Sequence, residues 1–128
     1  MKLGGRQLAI MNVLWERGEA TVADVQAALD VERALAYSTV ATVLSRMEKK
    51  GLVTHRVEDR VYFYQPAVTR DGAGQSMIGD VISRIFGGSP AELVNHLLES
   101  ESIDSSELQR IKELVRKHEA EQKKGDRK

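Results

Sequence analysis

The chain has 128 residues, of which 41% are hydrophobic, 19 are basic and 19 are acidic, so its formal net charge is zero. This length and apolar content predict one folded domain, or a domain with an appendage, and exclude a disordered chain. Because cysteine is absent, disulfide frameworks, thiolate metal sites and cysteine nucleophiles are excluded. No apolar run approaches the roughly 18 residues of a membrane span, and no signal region follows the start, so we expect a cytoplasmic protein without membrane insertion.

Three short helices are predicted in the first half of the chain. The first covers Arg6 to Arg17, where apolar residues recur at helical spacing, and Gly18 ends it. The second begins near Val22, because Thr21 to Asp24 has the spacing of a capping box, and it ends near Asp30.

The third predicted helix, from Tyr37 to Gly51, carries polar and basic side chains opposite an apolar stripe. Small polar residues allow close approach to base edges, arginine can bond guanine through two hydrogen bonds, and lysines reach phosphates. Any surface helix also has a polar face, and lysines at a helix end suit its dipole without a ligand, so the pattern leaves both interpretations open. The candidate DNA contacts on this helix are Tyr37, Ser38, Thr39, Thr42, Arg46, Lys49 and Lys50.

A β-hairpin is predicted directly after the third helix. Leu52–Val57 and Val61–Gln65 are its strands, and Glu58–Arg60 form its turn. The turn lacks glycine, so its type stays open. We expect Arg60, at the tip, to contact the DNA backbone or the minor groove. The aromatic run Tyr62–Tyr64 is compatible with base stacking, although core packing is favoured because alternate strand residues face opposite ways.

Three further helices are predicted in the second half. The first runs from Arg70 to Phe86, the second begins after Ser89, and Asp104 caps the third, which frays from Gln122. Their apolar stripes supply too little apolar surface for a separate core, so we expect a second copy of the chain to cover them. Packing back onto the first half is the alternative. The expected interface residues are Ile78, Ile82, Ile85, Leu93, Leu97, Leu108, Ile111, Leu114 and Val115.

The order of these elements predicts a mainly α-helical chain with a small β-hairpin, in which a winged helix-turn-helix precedes a helical dimerisation region. We expect residues 1–68 to form the winged-helix DNA-binding domain and residues 69–128 a three-helix dimerisation region with a frayed C-terminal tail. A twofold dimer would present two recognition helices to a palindromic site. The predicted function is therefore a dimeric, sequence-specific repressor on double-stranded DNA. The alternative, favoured by the zero net charge, is a winged-helix protein-interaction module.

Catalysis and cofactor binding are poorly supported, so we expect a protein that is not an enzyme and has no cofactor. His55, His96 and His118 stand apart, and none belongs to a metal-binding motif. Gly72-Ala73-Gly74 lacks the third glycine of a dinucleotide-binding loop. The acidic residues between Glu99 and Asp104 are compatible with a bound cation, but helix capping is favoured.

The segment Ala36–Val53 closely resembles the penicillinase repressor family, of BlaI/MecI type. Met11–Trp15 resembles the family's first helix, Val61–Tyr64 resembles its wing, and Phe86–Gly88 with Leu93-Val94 resembles its dimerisation region. The resemblance covers nearly the whole chain and implies a homodimeric repressor on a palindromic operator.

The resemblance also implies a mode of regulation. In some family members a membrane sensor with a zinc peptidase domain triggers cleavage of the repressor, so a sensor metallopeptidase is a further implied partner. The family's cleaved Asn-Phe bond aligns with His96-Leu97, where the residues differ from the family pattern. A copper-responsive branch carries a cysteine cluster that this chain lacks, so copper sensing by that route is not implied.

Overall fold

The computed structural model describes residues 3–29 and 34–126, which belong to two compact units, 1–79 and 80–128. The mainly helical fold class with one hairpin is confirmed. Because the fourth helix crosses the boundary between the units, the expected functional division after residue 68 stays a prediction. In chain order the elements are α1 (Gly5–Arg17), α2 (Val22–Ala28), α3 (Tyr37–Lys49), β1 (Val53–Glu58), β2 (Val61–Pro66), α4 (Arg70–Ile85), α5 (Pro90–Glu99) and α6 (Ser105–Asp126).

The first unit is built around one apolar core to which α1, α2, α3 and the hairpin all contribute. Each fully buried leucine, isoleucine, methionine or valine side chain contributes about 1.5–3 kcal/mol through removal from water. This burial holds the three helices and the hairpin together as a winged helix. The buried core residues are Ile10, Met11, Leu14, Ala20, Val22, Val25, Val40, Leu44, Met47, Leu52, Val53 and Tyr64.

The capping box predicted at the start of α2 is confirmed. The Thr21 hydroxyl accepts the backbone N–H of Asp24 at 3.0 Å, and the Asp24 carboxylate accepts the backbone N–H of Thr21 at 3.1 Å. These hydrogen bonds, above all the one from the Thr21 backbone, hold the pKa of Asp24 below its ordinary value. The helix ends at Ala28, and the predicted end near Asp30 lies outside the described residues.

The hairpin turn is tighter than the sequence predicts. Glu58 pairs with Val61, so only Asp59 and Arg60 form the turn, and both strands extend one residue beyond their predicted ends. The φ angles of Asp59 and Arg60 are 51° and 67°. Positive φ at both central residues is what a type I′ turn requires, and its twist matches that of the two strands. The three-residue turn expected from the sequence is therefore wrong.

A third piece of strand, which the sequence does not predict, joins the hairpin to the segment between α1 and α2. The Ala20 N–H donates to the Tyr64 carbonyl at 3.0 Å, and the Tyr64 N–H donates to the Ala20 carbonyl at 2.8 Å. A single bridging residue forms no periodic pattern, so the sequence could not predict it. Burial raises the pKa of the Tyr64 phenol, and the nearby Glu48 carboxylate adds to the effect.

The connection from the hairpin to α4 is anchored on α1. The Trp15 indole Nε1–H donates to the Val68 carbonyl at 2.9 Å, and the Arg70 guanidinium lies 5.7 Å from the centre of the Trp15 ring. Such a hydrogen bond contributes about 1 kcal/mol and fixes the end of the wing against the core.

The second unit consists of helices with local caps and no buried core of its own. The Ser89 hydroxyl accepts the Glu92 N–H at 3.3 Å, and the Asp104 carboxylate accepts the Glu107 N–H at 2.8 Å, as the sequence predicts. From residue 80 onward, no described side chain is buried. The last helix continues to Asp126, where fraying is expected, because its straight-chain polar residues are good helix formers. None of the described helices could span a membrane.

The turn geometry yields a stability prediction. Arg60→Gly should raise the free energy of unfolding by about 1 kcal/mol, because glycine adopts positive φ without the clash that a Cβ atom causes. Arg60→Ala is the matched control, since it removes the same guanidinium and keeps the Cβ atom. Urea unfolding followed by the fluorescence of Trp15, the chain's one tryptophan, measures both variants. Equal stability of the two variants would contradict the assigned turn.

Candidate nucleic-acid interface

The exposed face of α3 brings most of the predicted DNA contacts together. Ser38, Thr42 and Lys49 lie along the middle of this face, and Arg46 lies beside them; all four are exposed. Thr39, on the same flank as Arg46, is half-buried. The 13 residues of the helix span about 20 Å, so their side chains can reach several adjacent base pairs of a major groove. Their contact with DNA stays a prediction.

Thr42 is restricted in what it can recognise. Its hydroxyl donates to the Ser38 carbonyl one turn earlier, at 2.9 Å. The hydroxyl proton is therefore engaged within the helix, and the side chain presents a methyl group and oxygen lone pairs to the outside. This arrangement suits the methyl group of a thymine better than a phosphate, which needs a donor.

On one side of α3, a cleft against the first turn of α1 collects basic side chains. Arg46 and Lys50 line this cleft together with Arg6 and Val43. Arg6 was not predicted from the sequence, because it precedes Arg46 by forty residues and only the packing of α1 on α3 brings the two near one another. Three cations at the edge of an exposed helix form a local positive field that would attract a phosphate backbone.

On the other side of α3, a cleft of about 510 Å³ separates the helix from the wing. Tyr37, at the start of α3, and Tyr62, on β2, both line it, and about half of each side chain is exposed. Arg60 at the wing tip also lines this cleft. The core packing favoured for the aromatic run holds for Tyr64 alone. Phe63 lies on the opposite face of the hairpin, under the Arg56 guanidinium at 4.4 Å.

Arg56, on the outer face of the wing, is paired with two carboxylates. Arg56 donates to both carboxylate oxygens of Glu19, at 2.7 and 3.0 Å, and to Glu58 at 2.7 Å. Gln65 donates to Glu19 at 3.1 Å. The hydrogen bond from Arg56 is the main reason that the pKa of the Glu19 carboxyl lies below its ordinary value. This cluster was not predicted from the sequence, because its members come from three separate segments.

The predicted basic contacts, in contrast, have no acidic partner among the described residues. Within the described ranges, no ion pair involves Arg46, Lys49, Lys50 or Arg60. These cations are consequently available to a polyanion, and α3 with the wing tip forms a positive surface on a chain without net charge.

The three histidines have different surroundings. His55 contacts the Glu48 carboxylate, the His96 ring packs against Phe86 with 4.8 Å between ring centres, and His118 is exposed on α6. No group of three or more histidine, aspartate or glutamate side chains in the described part of the chain is arranged to hold a metal ion. The cap formed by Asp104 accounts for one of the acids considered as cation ligands.

Comparison with known proteins relates the chain to bacterial repressors. A sequence model of the family "Penicillinase repressor" matches residues 3–117. The transcriptional regulator BlaI of Mycobacterium tuberculosis (strain ATCC 25618 / H37Rv) is 38% identical over 112 residues, which cover 85% of this chain and 80% of that protein. The penicillinase repressor of Bacillus licheniformis is 22% identical over 117 residues, or 91% of each chain. The family match extends into both compact units.

Two solved structures are similar to part of the chain. A solution structure of the DNA-binding domain of the repressor BlaI is 27% identical, with a TM-score of 0.49, and the match covers 56% of this chain and 87% of that one. The monomeric form of Bacillus licheniformis BlaI, solved in complex with a half-operator, is 26% identical with a TM-score of 0.48. That match covers 56% of this chain and 88% of the other.

Base reading and charge can be separated on α3. A duplex enriched from a random-sequence library by the wild-type protein serves as the selected duplex, and a scrambled duplex as the control. Arg46→Ala should lower affinity for the selected duplex by about 1–3 kcal/mol, and for the scrambled duplex by less. Lys50→Ala should weaken both alike and flatten the salt dependence by about one unit. Titrations at several salt concentrations measure both effects; an equal loss on both duplexes would make Arg46 a phosphate contact.

Proposed function

Because the chain belongs to the penicillinase repressor family, whose members are DNA-binding transcriptional repressors, we propose that it represses transcription as a homodimer bound to a palindromic operator. In this proposal α3 is the recognition helix, and the hairpin is the wing. The observation that carries it is the exposed face of α3, where small polar side chains stand beside cations without acidic partners. This combination meets the needs of both base contact and phosphate contact.

The apolar surface of α4, α5 and α6 supports a second copy as the partner. Large aliphatic side chains lie on all three helices with more than a third of their surface exposed, and that of Ile85 is 71% exposed. Large apolar side chains left exposed on every helix of a region indicate an interaction site, because soluble monomers rarely leave so much apolar surface open. The aliphatic side chains that are at least a third exposed are Ile78, Val81, Ile85, Val94, Leu97, Leu98, Leu114 and Val115.

A twofold dimer fits the proposed target. Two copies related by a twofold axis would present two α3 helices in opposite directions, about one turn of DNA apart. Each helix then reads one half of a palindrome, so dimerisation doubles the contact surface and raises the affinity through effective concentration.

The alternative of a protein-interaction module makes a different prediction about salt. A DNA-binding surface releases counterions when its cations meet phosphates, so its affinity must fall steeply as salt rises. The unpaired cations of α3 and the wing tip favour this outcome. Failure of the protein to enrich any sequence from the random library would favour the interaction module.

The dimer is tested by a charge placed in the apolar surface. Ile85→Asp should convert the dimer into a monomer at micromolar concentration and weaken binding to the selected duplex about a hundredfold or more, because each half-site is then bound separately. Ser83→Asp adds the same charge at an exposed position of the same helix and is the matched control. Sedimentation velocity gives the oligomeric state. A dimeric Ile85→Asp protein would place the interface elsewhere.

We further propose that a sensor metallopeptidase releases the repressor by cleavage at His96-Leu97. Both residues are exposed on α5, a helix without a buried side chain. Helices with few buried contacts open locally at low cost, and a protease needs an opened segment. Mass spectrometry of the repressor from cells that co-express such a sensor, with inducer, should find fragments that end at His96 and begin at Leu97. Intact repressor under full derepression would contradict cleavage.

A further inference from the structure

A contact between the recognition helix and the wing lies behind the candidate DNA surface. The two carboxylate oxygens of Glu48, near the end of α3, lie 2.7 and 2.6 Å from Nδ1 of His55 on β1. The two side chains are only 32% and 26% exposed. Partial removal from water strengthens such a contact relative to an ion pair on an open surface.

His55 also supports Tyr62, an aromatic side chain that lines the cleft between α3 and the wing. The His55 ring stacks on the Tyr62 ring with 4.1 Å between centres and 7° between planes, and it tilts against Tyr64 at 5.7 Å. Tyr62 pairs with Val57 in the hairpin register, so the stack on His55 is a diagonal contact between the strands. A continuous chain of contacts therefore runs from α3 to the cleft between α3 and the wing, through Glu48, His55 and Tyr62.

We propose that Glu48 and His55 are positioning residues for DNA binding, which present the wing and α3 to DNA as one rigid surface. The carboxylate holds the imidazole, and the imidazole holds the Tyr62 ring beside the cleft that Arg60 and Tyr37 also line. Preorganisation of this kind raises affinity, because the wing loses less conformational freedom when DNA binds. The inference rests on the proposed DNA binding of this chain.

Charge alone predicts the opposite effect for Glu48. The residue directly precedes Lys49 and Lys50 on the helix that faces the phosphates. Removing a carboxylate from such a place reduces repulsion and should tighten DNA binding. A loss of affinity by Glu48→Gln, in protein that Trp15 fluorescence shows to be folded, therefore indicates lost positioning and not a change of charge.

The test is a thermodynamic cycle on the full-length protein, with the selected duplex as the probe. Affinities are measured at constant pH and ionic strength for the wild type, Glu48→Gln, His55→Phe and the double variant. Phenylalanine keeps a ring to stack on Tyr62 and cannot pair with Glu48. Glu16→Gln is the matched control, because it removes one exposed carboxylate from α1. His55→Gln replaces His55→Phe if Trp15 fluorescence shows that the latter does not fold.

We expect Glu48→Gln to weaken binding about three- to fivefold, the size of a partly exposed polar contact. In the His55→Phe background, the same change should leave binding unaltered or slightly tighter. Unaltered or tighter binding by Glu48→Gln in the wild-type background overturns the inference, as does an equal loss in the wild-type and His55→Phe backgrounds. Absence of DNA binding by the wild type would instead reject the proposed function.

Discussion

The geometry of the candidate interface depends on the burial of one face of α3. Val40, Leu44 and Met47 have no exposed surface, and they pack into the core that α1, α2 and the hairpin share. A 13-residue helix with several β-branched residues is marginal in isolation, so tertiary packing must hold it. The same packing fixes the rotation of the helix, and with it which side chains meet the solvent. Thr42 and Arg46 face outward because Leu44 and Met47 face inward.

The distribution of charge in the first unit matters more than its sum. Carboxylates around the wing are engaged with partners: Glu19 and Glu58 with Arg56, and Glu48 with His55. Among the residues that the structure describes, the cations on the exposed face of α3 have no such partner. A polyanion therefore meets a positive surface on a chain whose formal net charge is zero. Zero net charge, the feature that favoured an interaction module, consequently carries little weight against DNA binding.

The sequence by itself determined the features that depend on neighbouring residues. Capping at Thr21, Ser89 and Asp104 was predictable, because each cap is a hydrogen bond between residues three positions apart. The helices followed from their apolar periodicity. The family resemblance and the DNA-binding repressor that it implies are confirmed by the family match over residues 3–117. The apolar stripes that α4, α5 and α6 expose were also predictable from their periodicity, whereas the partner that covers them stays a proposal.

Only the tertiary structure decided how distant segments meet around the wing. The bridge of Ala20 to Tyr64, the clamp of Glu19 on Arg56 and the contact of Glu48 with His55 each join residues from separate elements. No local pattern encodes such pairs, because neither partner constrains the other until the core has formed. Even the hairpin turn, which is local, was mispredicted, since the ladder imposes positive φ on Arg60, a residue type that does not favour it. Local hydrogen bonds and periodicity thus define the elements, and burial of the core sets the surface that they present.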